Sequence, residues 1–269
     1  MKLSSRRVWI DGRIVPSSRA LVSALDPAVQ HGSGVFEVIR AYDGEAFLLD
    51  RHLDRMRRSA RAFRFPFHVS DVTLKRGVIG LLRATDQRDA SVRLVLTGGG
   101  TFMILAGPRP RMPAAWYRRG AAVDFAPWRR DIRAPLHGHK TLNYLENVLT
   151  RERARAKGLA DVLFLSTEGH VLEGTVSNVF LVSRGRLATP ALEGILPGVT
   201  RNEVIRIAKS LKIPVVERRV LPRDLDRADE VFLTNALIEV LPVSRVGSRR
   251  LGPPGPLTRS LMAGYRANR

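Results

Sequence analysis

The stretch PLHGHKTLNYLENVLT, residues 135–150, contains a lysine whose chemistry calls for an explanation. The chain has 45 lysines and arginines, of which only six are lysines. Lys140 is therefore one of the few side-chain amines in a chain that mostly uses arginine. A buried lysine has a lowered pKa and becomes the neutral amine that attacks a carbonyl to form an imine, which a guanidinium does not do. Lys140 also precedes a predicted helix, where a cation is mildly unfavourable. We therefore take Lys140 as the candidate catalytic residue, with a solvated lysine at a helix start as the alternative.

If Lys140 is such an imine-forming lysine, a carboxylate and a phosphate site should lie nearby. Glu173 in HVLEGTVSNVFLV lies at a predicted strand end, and a carboxylate facing a pyridine nitrogen keeps that nitrogen protonated. In ILPGVTRNEV, the backbone N–H groups of Val199 and Thr200, together with the Thr200 hydroxyl, suit a phosphate at a helix start. Arg55 on an earlier predicted helix is a second phosphate candidate. Taken singly, these features also fit a turn glutamate, a capped helix and a surface arginine.

The hydrophobic pattern predicts a mixture of strands and helices. Asp11-Gly12 and Asp43-Gly44 lie between β-rich runs and predict hairpins. The apolar periodicity predicts helices over 51–63, 72–84, 143–158, 200–213 and 256–267. Leu53, Met56, Ala60 and Phe63 share one face of the first helix. Segment 161–190 predicts three strands, with turns at Glu168-Gly169 and Arg184-Gly185.

The length of 269 residues suits two compact domains. The Pro-rich stretch GPRPRMP, residues 107–113, is the best linker candidate. We predict a domain at 1–112, a linker at 113–118 and a domain at 119–269.

Composition excludes several classes of protein. The chain contains no cysteine, so disulfides, a thiolate nucleophile and cysteine-based metal sites are excluded. It has no apolar run long enough to span a bilayer, and its N-terminus lacks an apolar signal core, which favours the cytoplasm. The net charge of +20 is compatible with nucleic-acid binding. However, the arginines are spread from Arg6 to Arg269 without a binding motif, so no nucleic-acid partner and no membrane are expected.

Six segments occur in order along the chain: HGSGVFEVIRAYDG, HLDRMRRSA, HKTLNYLENVL, EGHVLEGTVSNVFLV, ILPGVTRNEVIRIAKSLKIPVVERRV and ADEVFLTNALIEVLPV. Together they resemble the motifs of the fold-type IV enzymes that use pyridoxal 5′-phosphate, the class IV aminotransferases. The family includes branched-chain and D-amino acid aminotransferases, (R)-amine transaminases and aminodeoxychorismate lyase. The resemblance implies an α/β (α+β) homodimer with a small N-terminal α/β domain, a larger C-terminal pseudo-barrel domain and the cofactor in the cleft between them.

The resemblance also implies roles for individual residues. Lys140 would hold the cofactor as a Schiff base and shuttle the proton, and Glu173 would bond the pyridine nitrogen. The other cofactor-binding residues implied are Arg55, Tyr144, Asn178, Val199, Thr200 and Ala236. The substrate-binding residues implied are His31, Phe36, Arg40, Arg93, Asn235 and Leu237. No metal is implied, although the HGH run with His137 and His139 admits a weak metal-hydrolase alternative.

The substrate is left open between two reactions. The loop GGGTFM, residues 98–103, lacks the Arg and His with which D-amino acid enzymes bind the substrate carboxylate. The segments KTLNYLENVL and Asn-Ala-Leu resemble the lyases, whereas VFEVIRAYDG resembles the transaminases. We favour a transaminase acting on a small amino acid or amine and a 2-oxo acid. The alternative is a 4-amino-4-deoxychorismate lyase that releases pyruvate and 4-aminobenzoate, and a retired enzyme that binds nucleic acid is a distant third.

Overall fold

The computed structural model describes residues 6–269, and the chain divides into two compact units. The first comprises Met1–Arg111 and His139–Asn143, of which residues 1–5 lie outside the described part. The second comprises Met112–Gly138 and Tyr144–Arg269. The segment that carries Lys140 therefore groups with the first unit, although the residues before and after it in the chain group with the second.

The first unit is built on an antiparallel sheet that has six strands within the described residues. The strands are β1 (Arg7–Ile10), β2 (Arg13–Pro16), β3 (Gly34–Tyr42), β4 (Glu45–Ala46), β5 (Ala90–Thr97) and β6 (Phe102–Pro108), in the spatial order β2-β1-β6-β5-β3-β4. The helices are α1 (Pro27–His31), α2 (Leu49–Ala62) and α3 (Asp71–Ala84), with a 3-10 helix at Ser17–Arg19. Helices α2 and α3 cover the apolar face of the sheet.

Both hairpins predicted in this unit are confirmed. The turn residues have positive φ in each hairpin: 43° at Asp11 and 93° at Gly12, then 49° at Asp43 and 87° at Gly44. Two consecutive residues with positive φ are typical of the type I′ turn, whose twist matches that of the flanking strands. The local sequence is therefore sufficient to place these two turns.

The predicted apolar face of α2 is also confirmed. Leu53, Met56 and Ala60 are at most 1% exposed and belong to the core of the first unit. Phe63, just beyond the helix, is partly buried against the same core. A helix with apolar residues at this spacing presents one stripe to the sheet and a charged face to solvent, which accounts for the exposed Arg51, Arg58 and Arg61.

The second unit is built on a mixed sheet that has nine strands in the described part of the chain. The strands are β7 (Ala121–Arg130), β8 (Asp161–Ser166), β9 (Val171–Gly174), β10 (Asn178–Ser183), β11 (Arg186–Pro190), β12 (Val215–Arg218), β13 (Glu230–Asn235), β14 (Glu239–Val246) and β15 (Arg249–Arg250). The helices are α4 (Ala114–Arg119), α5 (Leu145–Ala156), α6 (Val199–Ser210), α7 (Pro222–Asp226) and α8 (Pro256–Ala267).

The sheet of the second unit curves into a pseudo-barrel, as predicted. Its strand order is β12-β11-β10-β13-β14-β7-β8-β9, and β15 pairs with β14. The two ends of this order meet, because the amide of Val171 in β9 donates to the carbonyl of Val220, which follows β12, at 2.7 Å. Closure of this kind satisfies backbone groups that an open edge would leave unpaired.

The prediction of three strands over residues 161–190 is wrong, because the structure has four. The chain bends between β9 and β10. At this bend, the buried carboxylate of Asp161 accepts hydrogen bonds from the amide of Thr175 at 3.0 Å and the hydroxyl of Ser177 at 2.7 Å. The partner that fixes this bend lies 14 residues earlier in the chain. A local hydrophobic pattern therefore shows one continuous strand.

Segment 113–118, predicted as a linker, consists mainly of α4. The side chains of Trp116 and Tyr117 pack against the core of the second unit. The Tyr117 hydroxyl donates to the carbonyl of Ile238 at 3.2 Å. Two aromatic side chains thus attach this stretch to the second unit. The predicted bounds of the two domains stay a prediction.

None of the helices in residues 6–269 combines the length and the apolar composition needed to cross a bilayer.

Candidate active site

Backbone pairing with the start of β3 holds Lys140 in the first unit. The amide of Phe36 donates to the carbonyl of Lys140 at 2.9 Å, and the amide of Leu142 donates to the carbonyl of Gly34 at 2.9 Å. Strand β4 pairs with β3 only at the distant end of the strand, Ala41–Tyr42. The short segment around Lys140 occupies the same edge of β3 at its other end, which fixes the position of the amine along the strand.

One face of the first sheet carries an aromatic ring beside two cationic groups. Side chains alternate along a strand, so Phe36 lies on the face opposite to its core neighbour Val35. The guanidinium carbon of Arg93 lies 4.0 Å from the centre of the Phe36 ring, and Nζ of Lys140 lies 4.5 Å from it. Both distances are within the range of cation–π attraction. The first unit thus brings together Lys140, Phe36 and Arg93, three residues predicted from the sequence.

The core-facing side of β3 carries a buried ion cluster that sequence reasoning missed. Glu37 has no exposed surface, and Arg55 donates from Nε and Nη2 to its two carboxylate oxygens, each at 2.7 Å. Nδ1 of His52 lies 2.8 Å from Oε2 of Glu37. A signal was present: an acid between Val35 and Ile39 occupies the apolar face of the strand, where a carboxylate must have a partner. The cluster fixes the side chain of Arg55, the predicted phosphate ligand.

The charges of this cluster determine its protonation. Burial by itself raises the pKa of Glu37, but Arg55 and His52 outweigh burial and hold that pKa far below its ordinary value. Burial lowers the pKa of His52, and the positive charges of Arg55 and Lys140 lower it further, although Glu37 acts in the opposite direction. The carboxylate is therefore ionised and the imidazole neutral at neutral pH.

We expect the free energy of unfolding to fall as the pH drops below 6.5, in part through His52. The folded-state pKa of His52 lies below its ordinary value of 6.5, so the unfolded chain binds the proton more readily. Stability that is present above pH 6.5 is then lost as the pH approaches the folded-state pKa. Urea unfolding at about pH 7.5 and about pH 5.5 measures this loss.

The variant His52→Gln should show a smaller loss between the two pH values than the wild type. His68 is exposed, so His68→Gln serves as the matched control and should keep the wild-type loss. An equal loss in the wild type and in His52→Gln would contradict the assignment.

Two further predicted substrate residues lie on β3 and at the end of α1. Arg40 is buried, its Nη2 lies 3.2 Å from Oδ1 of Asp89, and its guanidinium lies 4.3 Å from the centre of the Tyr42 ring. His31 is the exposed last residue of α1. Both roles stay predictions.

The two histidines of the HGH run lie in different surroundings. Nδ1 of His139 lies 3.1 Å from Oγ of Ser59, and its ring lies 4.9 Å from that of Phe63. His137 belongs to the second unit, and burial lowers its pKa. Within residues 6–269, no three His, Asp or Glu side chains are grouped as metal ligands.

In the second unit, the carboxylate of Glu173 is oriented by its neighbours near the end of β9. The amide of Leu196 donates to Oε2 at 3.1 Å, and Nδ2 of Asn178 donates to the same oxygen at 3.4 Å. The Asn178 amide also donates to the carbonyl of Leu196 at 3.0 Å. Since the side chain of Glu173 is only 15% exposed, these bonds point the carboxylate in a defined direction.

Tyr144 and Asn147 both donate to the carbonyl of Thr175, at 2.9 and 2.6 Å, in the bend that follows Glu173. Burial raises the pKa of the Tyr144 hydroxyl, and the nearby carboxylates of Glu173 and Asp161 raise it further. The phenol is therefore neutral and acts as a hydrogen-bond donor. The second unit therefore places the Tyr144 hydroxyl within the electrostatic influence of Glu173, and the cofactor-binding roles of both residues stay predictions.

The start of α6 is buried and has no side-chain cap of its own, since Gly198 precedes it. Val199 and Thr200 are 6% and 3% exposed. A Cβ atom at Gly198 would overlap Oδ1 of Asn178, so any other residue here would have to displace that side chain. Helix starts bind anions through their unpaired N–H groups, which supports the predicted role of both residues.

The turn between β13 and β14 is organised by Asn235. Its Oδ1 accepts from the amides of Leu237 and Ile238, at 2.8 and 2.9 Å, and its Nδ2 donates to the carbonyl of Val176 at 3.0 Å. The N–H of Leu237, a predicted substrate-binding residue, is thus bonded to the side chain of Asn235. Ala236 lies half-buried between them.

Residues 34–246 match the family model of amino-transferase class IV. The chain belongs to this family. The match spans the lysine segment, the Glu173 strand and the start of α6.

Two curated relatives cover nearly the whole class IV aminotransferase chain. A putative branched-chain-amino-acid aminotransferase of Methanocaldococcus jannaschii is 35% identical over 90% of this chain and 88% of its own. A D-alanine aminotransferase of Bacillus licheniformis is 30% identical over 95% of this chain and 94% of its own.

Two solved structures have the same fold as this chain over nearly its whole length. The branched-chain amino acid aminotransferase of Thermoproteus uzoniensis, solved with norvaline, has a TM-score of 0.89 and 32% identity, covering 97% of this chain and 94% of its own. A putative 4-amino-4-deoxychorismate lyase of Legionella pneumophila has a TM-score of 0.86 and 26% identity, covering 94% of this chain and 97% of its own. The chain is accordingly a pyridoxal-phosphate-dependent transaminase or lyase.

Pyridoxal 5′-phosphate is the cofactor of this class IV enzyme, in keeping with branched-chain aminotransferase structures of the same fold that hold pyridoxamine 5′-phosphate or a phosphopyridoxyl adduct of glutamate. The residues present fit its three functional groups. The amine of Lys140 suits the aldehyde, and the oriented carboxylate of Glu173 suits the ring nitrogen. The glycine-led start of α6 suits the phosphate.

Proposed function

We propose that this class IV aminotransferase moves an amino group between a small amino acid or amine and a 2-oxo acid, with Lys140 as the Schiff-base lysine. The observation that carries the proposal is the arrangement on the first sheet, where Lys140 and Arg93 both contact the ring of Phe36. An amine that takes and returns a proton thus shares one aromatic surface with a guanidinium, the group best suited to a carboxylate.

The remaining roles are assigned in the same proposal. When bound, the cofactor accepts the electron pair left by the departing α-proton. Lys140 moves the proton, Glu173 holds the proton on the ring nitrogen, and Tyr144, whose own hydroxyl proton bonds to Thr175, lies beside the phenolic oxygen. Residues Arg55, Val199, Thr200 and Ala236 hold the phosphate, and Asn178 supports the edge of the ring. His31, Phe36, Arg40, Arg93, Asn235 and Leu237 surround the substrate.

The names of the relatives favour amino transfer over elimination. The M. jannaschii and B. licheniformis proteins are both named as aminotransferases. The lyase is the second candidate because the Legionella structure covers almost the same span with a TM-score of 0.86.

Four donors distinguish these possibilities: L-leucine, D-alanine, an (R)-amine and aminodeoxychorismate, each with and without a 2-oxo acid. We expect turnover with an amino acid or amine that depends on the 2-oxo acid, because the cofactor must be reloaded after each transfer. Release of pyruvate from aminodeoxychorismate without any acceptor would contradict the proposal and favour the lyase.

We also propose that the chain forms a homodimer through α5. Leu145, Val148 and Leu149 occupy one side of this helix, since they are spaced three and four residues apart, and are 67%, 43% and 46% exposed. A contiguous apolar patch of this kind is typical of a protein contact surface. The cytoplasm is the proposed location, in keeping with a chain that contains no cysteine.

A further inference from the structure

Arg130, the last residue of β7, is a buried cation in the second unit that the roles above do not use. It is 5% exposed, and its guanidinium carbon lies 3.3 Å from the centre of the Phe164 ring. Stacking on a buried ring restricts a guanidinium to one plane. The direction in which each of its nitrogens points is therefore fixed.

The guanidinium of Arg130 lies between two carboxylates. On one side, Nε and Nη2 donate to Oε2 of Glu146 at 2.9 and 2.6 Å, and Nη2 also donates to Oδ1 of Asn147 at 3.0 Å. On the other side, Nη1 lies 3.8 Å from Oε1 of Glu173. The indole N–H of Trp128 donates to the second oxygen of Glu146 at 2.9 Å, so this outer carboxylate is also fixed.

We propose that Arg130 is a positioning residue that sets the proton affinity of Glu173, with Glu146 limiting its effect. The inference rests on the proposed function, in which Glu173 faces the ring nitrogen of the cofactor. A carboxylate close to a cation binds a proton less readily, so the proton between Glu173 and the ring stays on the ring nitrogen. A protonated ring is the stronger electron sink.

The two carboxylate oxygens of Glu173 have different neighbours. Oε2 accepts from the amide of Leu196 and from Asn178, whereas Oε1 is the oxygen near Arg130. Glu146 in turn neutralises part of the charge of Arg130. Removal of Arg130 therefore makes the potential at Glu173 more negative, whereas removal of the charge of Glu146 makes it more positive.

The experiment is a pH titration of the visible absorption band of the holoenzyme. Arg130→Met removes a positive charge, so the protonated form of the cofactor–lysine linkage is favoured. We expect the midpoint to rise by roughly half a pH unit, less than the ~1–3 units of a directly facing charge, because Arg130 acts on the linkage through Glu173. Glu146→Gln removes a negative charge and should lower the midpoint, and Arg130→Lys should stay close to the wild type.

Arg153→Met is the matched control. Its guanidinium lies 5.5 Å from the ring of Trp128, in the same region of the second unit, and its removal should leave the midpoint unchanged. Addition of Glu173→Gln should reduce the shift caused by Arg130→Met, because Glu173 transmits the effect.

A purely structural role for Arg130 predicts a different pattern. Arg130→Met and Glu146→Gln break the same ion pair, so a structural effect would move the midpoint in the same direction in both variants. That result, or an unchanged midpoint with an intact band, would overturn the inference while the proposed function stands. If Arg130→Met does not fold, the direction of the midpoint shift in Glu146→Gln decides. A lowered midpoint supports the inference, and an unchanged or raised midpoint overturns it. A wild type without a visible band would refute the proposed function and this inference with it.

Discussion

Replacement of Lys140 by alanine is expected to abolish the visible band of bound pyridoxal 5′-phosphate and to lower turnover at least about a thousandfold. A positioned group that transfers a proton contributes ~10²–10⁴-fold to a rate. In the proposed function, the same amine also binds the cofactor covalently, so the variant loses two contributions at once. The absorption spectrum and the rate of a single amino transfer measure the two losses separately.

Two further variants distinguish amine chemistry from charge. Lys140→Arg keeps the cation near Phe36 but cannot form the imine, so it should lose the band as the alanine variant does. Lys157 is the exposed residue that follows α5, and Lys157→Ala should keep both band and rate. Persistence of the band in Lys140→Ala would show that another group binds the cofactor.

The sequence predicts those features of the fold that local patterns determine. The turns at Asp11-Gly12 and Asp43-Gly44 need only two residues that adopt positive φ, and the apolar face of α2 needs only regular spacing. The helix predicted over 256–267 is observed at those bounds as α8. The family is confirmed because its segments occur in order over most of the chain.

The features that the sequence does not reveal are pairs of charges that are distant in the chain. Glu37 pairs with Arg55 over 18 residues, and the bend after β9 depends on Asp161. Arg130 and Glu173 are 43 positions apart, and nothing near either residue indicates the other. Which buried acid faces which base depends on the sheet register, so these pairs appear only once the fold is known.

Glu37→Gln is expected to lower the free energy of unfolding by about 3–5 kcal/mol, the usual cost of removing one partner from a buried ion pair. The amide keeps the shape of the side chain, so the change tests charge rather than volume. Glu37 has no exposed surface, and Arg55 is 5% exposed, so solvent screens this pair little. Urea unfolding at neutral pH measures the loss, which is large beside a typical total of ~5–15 kcal/mol.

An exposed pair supplies the matched control for Glu37→Gln. Oδ1 of Asp43 lies 3.8 Å from Nη2 of Arg88, and both side chains are mostly exposed. Asp43→Asn makes the same change from carboxylate to amide in water and should alter the free energy of unfolding very little. The double variant Glu37→Gln/Arg55→Met should recover part of the loss, because the buried guanidinium is no longer left without its carboxylate. Equal effects of Glu37→Gln and Asp43→Asn would mean that burial adds nothing to the pair. Recovery in the double variant would show that the loss of stability comes from the guanidinium of Arg55 left without its carboxylate. The proposed function uses this same guanidinium to hold the phosphate.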